Sequence, residues 1–189
     1  MAGPGMVKSR HESDADTPSA VPAPLIVVVM GVSGTGKTTL GHALAERLNW
    51  AFIEADDFHP PQNVEKMRSG QPLSEGDRAP WLAAVHAALL DIAARQVSAV
   101  LACSALKRAH RKILSKDIAD LHFVYLEGDP DLVSTRLRQR RAHFMPAHLL
   151  GSQLATLEPP GDAITLSIAV PTEQQVDLVI DRLAPAIPQ

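Results

Sequence analysis

The chain of 189 residues is 46% apolar, 21% charged and 4% aromatic, which suits one globular domain and excludes a disordered or fibrous protein. Its 18 basic and 21 acidic side chains give a net charge of −3, which argues against binding to nucleic-acid phosphates or stacking on bases. A single cysteine, Cys103, cannot form an internal disulfide and is typical of a reducing, cytoplasmic location.

The two ends of the chain differ in composition from its middle. Residues 1–24 are rich in Ala, Pro, Gly, Ser and Asp without an apolar stretch, so we predict a disordered leader. Residues 185–189 are predicted to be a frayed C-terminus, which leaves one domain over 25–184. The longest clear apolar run, residues 25–30, is far below the roughly 20 residues needed to cross a bilayer, so no membrane association is expected.

Between these ends, short apolar runs alternate with amphipathic segments. Short, apolar, β-branched runs predict buried strands at residues 25–30, 51–54, 99–102, 121–126 and 164–170. Helical spacing of apolar residues and helix-start signals predict helices over 37–48, 77–95, 130 to about 141, and 172–183. The last of these starts with capping-box spacing between Thr172 and Gln175. Such alternation is typical of an α/β fold with a parallel sheet wrapped by helices.

A glycine-rich loop follows the first predicted strand and matches the phosphate-binding pattern G-x-x-x-x-G-K-[ST] in full. Its backbone N–H groups and the following helix N-terminus would hold the phosphates of ATP, while Lys37 reaches the β/γ-phosphates and Thr38 binds Mg²⁺. The predicted ATP-binding residues are Gly31, Val32, Ser33, Gly34, Thr35, Gly36, Lys37, Thr38 and Thr39. The alternative, a chance glycine-rich turn, would not explain why a predicted buried strand precedes the loop and a predicted helix follows it.

Three carboxylates follow the second predicted strand, where parallel sheets bind ligands. If strand geometry persists beyond Glu54, Asp56 projects into the cleft as the base for a phosphoryl acceptor, and Asp57 points away and serves magnesium. The alternative is an acidic surface turn that ends at proline. His59 could equally start a helix.

Ser104 and Lys107 follow the third predicted strand, with Arg111 four residues beyond Lys107. Ser104 and Lys107 suit a polar acceptor pocket, although a helix N-cap followed by a solvated lysine is an open alternative. The aspartate that often ends this strand in P-loop proteins is absent, so magnesium would depend on Thr38, the nucleotide and a carboxylate after the second strand. Cys103 is predicted to be a small core residue.

Four arginines crowd into six residues at the end of the helix predicted over 130 to about 141, at positions 136, 138, 140 and 141. Arg136 and Arg140 share a helix face and would repel each other without an anionic partner. We predict that they belong to a lid over about 136–150 that neutralises charge on the transferred group. A solvated basic helix face is the alternative.

The motifs MGVSGTGKTT, ADDFHP, EKMRSGQPL, DRAPWL, CSALK, HFMP and TLEPP occur in the order found in gluconokinases, which this chain resembles over residues 25–183. The resemblance implies a five-stranded parallel sheet of order 2-3-1-4-5 with a mobile lid. It also implies transfer of the ATP γ-phosphate to the 6-hydroxyl of D-gluconate. Some members are homodimers, so a homodimer is compatible with it.

The resemblance also implies roles for individual residues. Asp56 matches an acceptor-binding carboxylate and base, and the catalytic set is Lys37, Asp56, Arg136 and Arg140. The substrate-binding set is Asp56, His59, Lys66, Arg78, Ser104, Lys107, Arg111 and His143. Two departures affect lid and pocket geometry: Ala142 replaces a common glycine and His110 a frequent tyrosine. The rival hypotheses are a same-fold kinase for shikimate or a nucleoside monophosphate, and a non-catalytic nucleotide-binding module.

Overall fold

The structure is a computed structural model, and it describes residues 23–139 and 150–187. The predictions for residues 1–22, for Arg140 and His143, and for most of the lid therefore lie outside the described residues. Five strands form one sheet: β1 Ile26–Met30, β2 Ala51–Glu54, β3 Ala99–Ala102, β4 Leu121–Glu127 and β5 Ile164–Ser167. All pair in parallel in the order β2-β3-β1-β4-β5, which confirms the expected topology.

Seven described helices flank the sheet: α1 Lys37–Leu48, α2 Pro61–Arg68, α3 Glu75–Ala94, α4 Arg108–Ser115, α5 Pro130–Gln139, α6 Leu150–Thr156 and α7 Thr172–Leu183. A 3₁₀ turn, Ala55–Phe58, follows β2. Helices near α2 and α4 were raised only as alternatives from the sequence, and α6 was not predicted. Each is only seven or eight residues long, too short to display a clear apolar period.

The core lies on both faces of the sheet because β1 is completely buried at its centre. Val27 and Val29 belong to the apolar cluster that includes residues of α1 and α7, whereas Ile26 and Val28 belong to the cluster that includes residues of α3. This alternation with a period of two fixes the strand in the middle layer of a three-layer domain. The phosphate-binding loop is therefore anchored to the most deeply buried strand.

Two predicted boundaries near the C-terminus are wrong. The fifth strand stops at Ser167 rather than 170, because the Val170 amide donates to the Ser167 carbonyl (3.2 Å) in a turn. The capping box at Thr172 is absent: Pro171 is the N-cap, Thr172 lies inside α7, and the Gln175 side chain donates to the Ser167 carbonyl (2.9 Å).

Helix α3 begins at Glu75, two residues before the predicted start at residue 77. Ser74 caps this helix and exchanges hydrogen bonds with Asp77, which forms a complete capping box.

Near the C-terminus, the amides of Ala186 and Ile187 donate to the Leu183 carbonyl, and both side chains pack against the core. These contacts tie the described part of the predicted frayed end to α7 and the core. No helix in the described ranges is long and apolar enough to span a membrane.

Candidate active site

The glycine-rich loop curls between β1 and α1 in the manner that its sequence predicts. Gly34 and Gly36 have φ angles of 88° and 99°, a left-handed conformation that favours glycine. A Cβ on Gly34 would also lie 2.7 Å from Leu137 Cγ in α5. Gly36 is the N-cap of α1 and provides no side-chain acceptor, so no N-cap side chain competes with an anion for the amides of the first turn.

Several polar groups hold the loop in shape. Thr35 Oγ1 donates to the Val32 carbonyl (2.9 Å), and Lys37 Nζ donates to the same oxygen (3.2 Å). The Ser33 amide donates to Gln153 Oε1 of α6 (2.6 Å), across 120 positions of sequence. Gln153 therefore supplies an oxygen to one loop amide, and the sequence contains no local signal for this contact.

Thr38 at the start of α1 contacts a carboxylate at the end of β2. Its hydroxyl donates to Glu54 Oε2 at 2.7 Å. Burial raises the pKa of Glu54; the bond from Thr38 opposes that shift, while the charge of Asp56 adds to it. A hydroxyl and a carboxylate side by side at the phosphate-binding loop form the oxygen donor set that Mg²⁺ prefers. The described residues contain no cluster of three or more acidic, histidine or cysteine side chains for a fully protein-held metal.

The strand conformation does not persist beyond Glu54. The chain turns into the 3₁₀ helix, so the expectation that Asp56 and Asp57 point in opposite directions loses its basis. Glu54, Asp56 and Asp57 all line one cavity of about 210 Å³, which also contains Lys37 and Thr38. The phosphate-binding loop and the carboxylates thus share a cleft.

His59 forms one wall of this cleft. Its ring stacks on Trp81 of α3 with centroids 4.4 Å apart and an angle of 15° between planes. Trp81 is itself fixed by its indole N–H, which donates to the Ala55 carbonyl (2.7 Å). His59 Nε2 lies 3.9 Å from Asp56 Oδ1. Burial lowers the pKa of His59; the charge of Asp56 opposes that shift, and the charge of Arg78 adds to it.

Two residues of the predicted acceptor side, Arg78 and Ser104, line the cleft. The predicted cations Lys66, Lys107 and Arg111 are not among its lining residues. Arg78 Nη1 contacts Glu75 Oε1 at 2.9 Å, and Lys107 Nζ contacts the same oxygen at 3.1 Å. Lys66 instead pairs with Asp77 at 2.7 Å, outside the residues that line the cavity. Glu75, which sequence reasoning missed, therefore links α3 to the start of α4.

The structure places Arg111 away from the cavity. Its side chain is buried and donates to the carbonyls of Ala105 and Leu106 (3.2 and 3.3 Å), and burial lowers its pKa. It lines a separate cleft with Arg108 and residues of the loop before β5. This arginine supports the backbone that follows β3 and is not among the residues that line the cavity with Asp56.

A second cleft shares Gly34 and Gly36 with the first. Thr39, Arg136 and Gln139 line it together with residues 168–172. Arg136 Nη2 donates to the Ile168 carbonyl (2.8 Å), so α5 is tied to the turn after β5. The phosphate-binding loop thus stands between two clefts.

Apolar side chains complete the lining of the first cleft, and no sequence pattern distinguishes them from core residues. They are Met67, Pro72, Leu73, Trp81 and Leu106. Cys103, next to Ser104, is buried in the core as predicted.

Comparison with known proteins agrees with this geometry. A family model described as shikimate kinase matches residues 33–153. The gluconokinase of Gluconobacter oxydans (strain 621H) is 51% identical over 160 residues, 85% of this chain and 89% of that protein. The thermoresistant gluconokinase of Escherichia coli (strain K12) is 39% identical over 155 residues, 82% of this chain and 89% of that protein. The chain belongs to the gluconokinase family.

Solved structures support the same assignment. A gluconokinase from Sinorhizobium meliloti 1021 superposes with a TM-score of 0.76 at 40% identity, covering 87% of this chain and 94% of that one. A sugar kinase from Janibacter sp. HTCC2649 gives a TM-score of 0.82 at 41% identity, covering 87% and 96%. Membership of the gluconokinase family confirms the resemblance drawn from the motifs and disfavours both rival hypotheses.

One departure from the gluconokinase pattern has a clear place in the structure. His110 is only 3% exposed, and its Nε2 lies 3.0 Å from Glu75 Oε2. The hydrogen bonds from His110 and then Lys107 lower the pKa of Glu75 to about 2. The histidine thus binds a carboxylate that also holds Arg78. Ala142, the other departure, lies outside the described residues.

Proposed function

We propose that this protein transfers the γ-phosphoryl group of ATP to the 6-hydroxyl of D-gluconate and forms 6-phospho-D-gluconate. The observation that carries the proposal is that the phosphate-binding loop and Asp56 face one cleft, with Arg78 also in its lining. Such a cleft can bring a phosphoryl donor, a base and an anion-binding cation together. The gluconokinase relatives supply the identity of the acceptor.

The nucleotide would occupy both sides of the loop. Residues 31–39, with Lys37 among them, would bind the β- and γ-phosphates, because the N-terminus of α1 has no side-chain cap and an ammonium group complements phosphate oxygens. The second cleft, with Arg136 and Gln139, would take the nucleoside. Arg140 and His143 belong to the proposed lid, which would screen charge on the transferred group.

Magnesium would be held by Thr38 and, directly or through water, by Glu54, whose contact gives the fitting oxygen donors. Asp57 is a further candidate because it lines the same cavity. When bound with ATP, the ion would neutralise phosphate charge and orient the γ-phosphate.

The acceptor would lie between the 3₁₀ turn and α3. Arg78 would meet the gluconate carboxylate, with Lys107 close behind through their shared partner Glu75. His59 and Ser104 would bind acceptor hydroxyls. Asp56 would accept the proton of the gluconate 6-hydroxyl. At the same time the 6-hydroxyl oxygen would attack the γ-phosphorus, and the bond between that phosphorus and the β–γ bridging oxygen would break.

The test is a coupled assay of ADP release with Mg·ATP against gluconate, glucose, shikimate and AMP. We expect turnover of gluconate and very poor turnover of glucose, since the neutral sugar leaves Arg78 without its carboxylate partner. Comparable kcat/KM for glucose and gluconate would overturn the assignment.

Two further features of the proposal concern the whole protein. The single buried cysteine suits the reducing cytoplasm, where we place the reaction. A homodimer stays a prediction, and light scattering coupled to size-exclusion chromatography would measure the oligomeric state.

A further inference from the structure

The orientation of His59 is set by contacts on three sides. Its side chain is 5% exposed, stacks on Trp81 and directs Nε2 toward the carboxylate of Asp56. The 3.9 Å between these atoms exceeds a hydrogen bond, so a hydrogen on Nε2 would be available to an acceptor oxygen bound beside Asp56. Whether Nε2 carries that hydrogen depends on the partner of the other ring nitrogen.

That partner is Asn63, in the first turn of α2. Asn63 is 1% exposed, and its Nδ2 lies 2.7 Å from the backbone carbonyl oxygen of Asp77. A carbonyl oxygen only accepts hydrogen bonds, so the Asn63 atom facing it must be the NH₂ nitrogen rather than the amide oxygen. This contact fixes the orientation of the buried amide.

The same nitrogen faces the histidine. Asn63 Nδ2 lies 3.5 Å from His59 Nδ1, and one of its two hydrogens remains after the bond to Asp77. A hydrogen on Nδ1 would meet this donor head-on. The contact is satisfied when Nδ1 presents its lone pair, which leaves the ring hydrogen on Nε2.

We propose that Asn63 is a positioning residue that holds His59 as the neutral tautomer with its hydrogen on Nε2. His59 is then a hydrogen-bond donor in the acceptor cleft, and Asp56 is the base. The division of roles rests on the proposed function, whereas the tautomer itself does not. In the reaction, the Nε2 hydrogen stays on His59 and binds an acceptor oxygen, while the proton of the 6-hydroxyl moves to the Asp56 carboxylate.

The tautomer can be measured without substrate. The protein has eight histidines, so ¹⁵N-histidine labelling followed by comparison with His59→Gln identifies the signals of His59. We expect an unprotonated Nδ1 and a protonated Nε2 at neutral pH. A hydrogen on Nδ1 would overturn the proposal, whichever acceptor the enzyme uses.

The division of roles is tested by two substitutions. Glutamine can place an N–H near the position of Nε2 but cannot act as a base, so His59→Gln should lose less kcat than the about 10²-fold minimum expected for loss of a general base. Asp56→Asn should exceed that loss. If His59→Gln is as damaging as Asp56→Asn, the base is misassigned.

Asn63→Asp replaces the donor by an acceptor and should move the ring hydrogen to Nδ1. We expect a lower kcat and inverted ¹⁵N signals of His59, although Asn63 lies outside the cavity lining. Asn49→Asp, at an exposed helix end, is the matched control and should change neither quantity. Unchanged His59 signals in folded Asn63→Asp would refute the role of Asn63. If it does not fold, the wild-type spectrum and His59→Gln still decide.

Discussion

The two halves of the cleft are built in different ways. The phosphate half comes from one stretch of chain, residues 31–39, and relies on backbone N–H groups and glycine conformations. The acceptor half takes side chains from the 3₁₀ turn, α2, α3 and the segment after β3. The first can therefore be recognised from consecutive letters of sequence, whereas the second depends on the fold to bring distant residues together.

The two halves also differ in how their charges are partnered. In the phosphate half, the N-terminus of α1 has no side-chain cap. In the acceptor half, Arg78 and Lys107 already share Glu75, and Lys66 holds Asp77. An anion at the phosphate half would therefore bind a helix N-terminus that has no side-chain cap, whereas in our proposal the gluconate carboxylate would share its cation with Glu75.

The largest expected effect comes from Asp56, the base that we propose in the acceptor half. Asp56→Asn should lower kcat by roughly 10²–10⁴-fold with little change in ATP affinity, because only proton transfer or orientation is lost. Steady-state kinetics and nucleotide titration would measure both quantities. Asp117→Asn, on an exposed turn, is the control. Full activity of Asp56→Asn, with loss in Asp57→Asn or Glu54→Gln, would reassign the base.

In the phosphate half, Lys37→Met should lower kcat by about 10²–10³-fold, since one donor to the developing charge disappears. The KM for ATP should rise as well, which distinguishes this variant from Asp56→Asn. The exposed Lys116→Met is the comparison variant. If Lys37→Met lost gluconate affinity alone, the assignment of the two halves would be reversed.

A smaller effect is expected at the acceptor cation. Loss of a hydrogen bond between charged groups costs about 1.5–3 kcal/mol, so Arg78→Gln should raise the KM for gluconate by about 10–100-fold. The KM for ATP should stay the same. Arg95→Gln, which breaks an exposed pair with Asp91, controls for loss of charge. An unchanged KM for gluconate would show that another cation meets the carboxylate.

The contact between the two halves can be tested through magnesium. Glu54→Gln should raise the Mg²⁺ concentration for half-maximal activity about tenfold. The reason is that a neutral amide attracts the cation, and orients the Thr38 hydroxyl beside it, less well than a carboxylate does. Activity should recover at saturating Mg²⁺. The exposed Glu46→Gln serves as control, and a requirement raised by Asp57→Asn alone would transfer the ligand role to Asp57.

The smallest effect concerns stability at acid pH. Because the pKa of Glu75 is about 2 in the folded chain and ordinarily 4.5, its ion pairs stabilise the fold above about pH 4.5 and are lost as the pH falls toward 2. Urea unfolding of Glu75→Gln should therefore show a smaller decrease of unfolding free energy over this interval than the wild type. Glu65→Gln should follow the wild-type curve. Parallel curves for Glu75→Gln and the wild type would contradict the shift.

Sequence reasoning predicted the phosphate-binding loop from consecutive residues, whereas the sheet order was implied by the resemblance to gluconokinases and is confirmed by the structure. Two features of the site depend on geometry that the sequence does not display: a 3₁₀ turn replaces strand alternation after Glu54, and the Arg111 side chain donates to backbone carbonyls behind β3. Sequence reasoning could not find Gln153 or Glu75, whose partners lie 120 and up to 35 residues away. These contacts exist only after the helices pack.

The burial of Cys103 has a practical consequence. The thiol is 1% exposed, and burial raises its pKa to about 12, so little of it is the reactive thiolate at neutral pH. Thiol reagents should leave the native enzyme unmodified. A cysteine introduced at an exposed position such as Glu65 would then be labelled by a maleimide fluorophore at that single point.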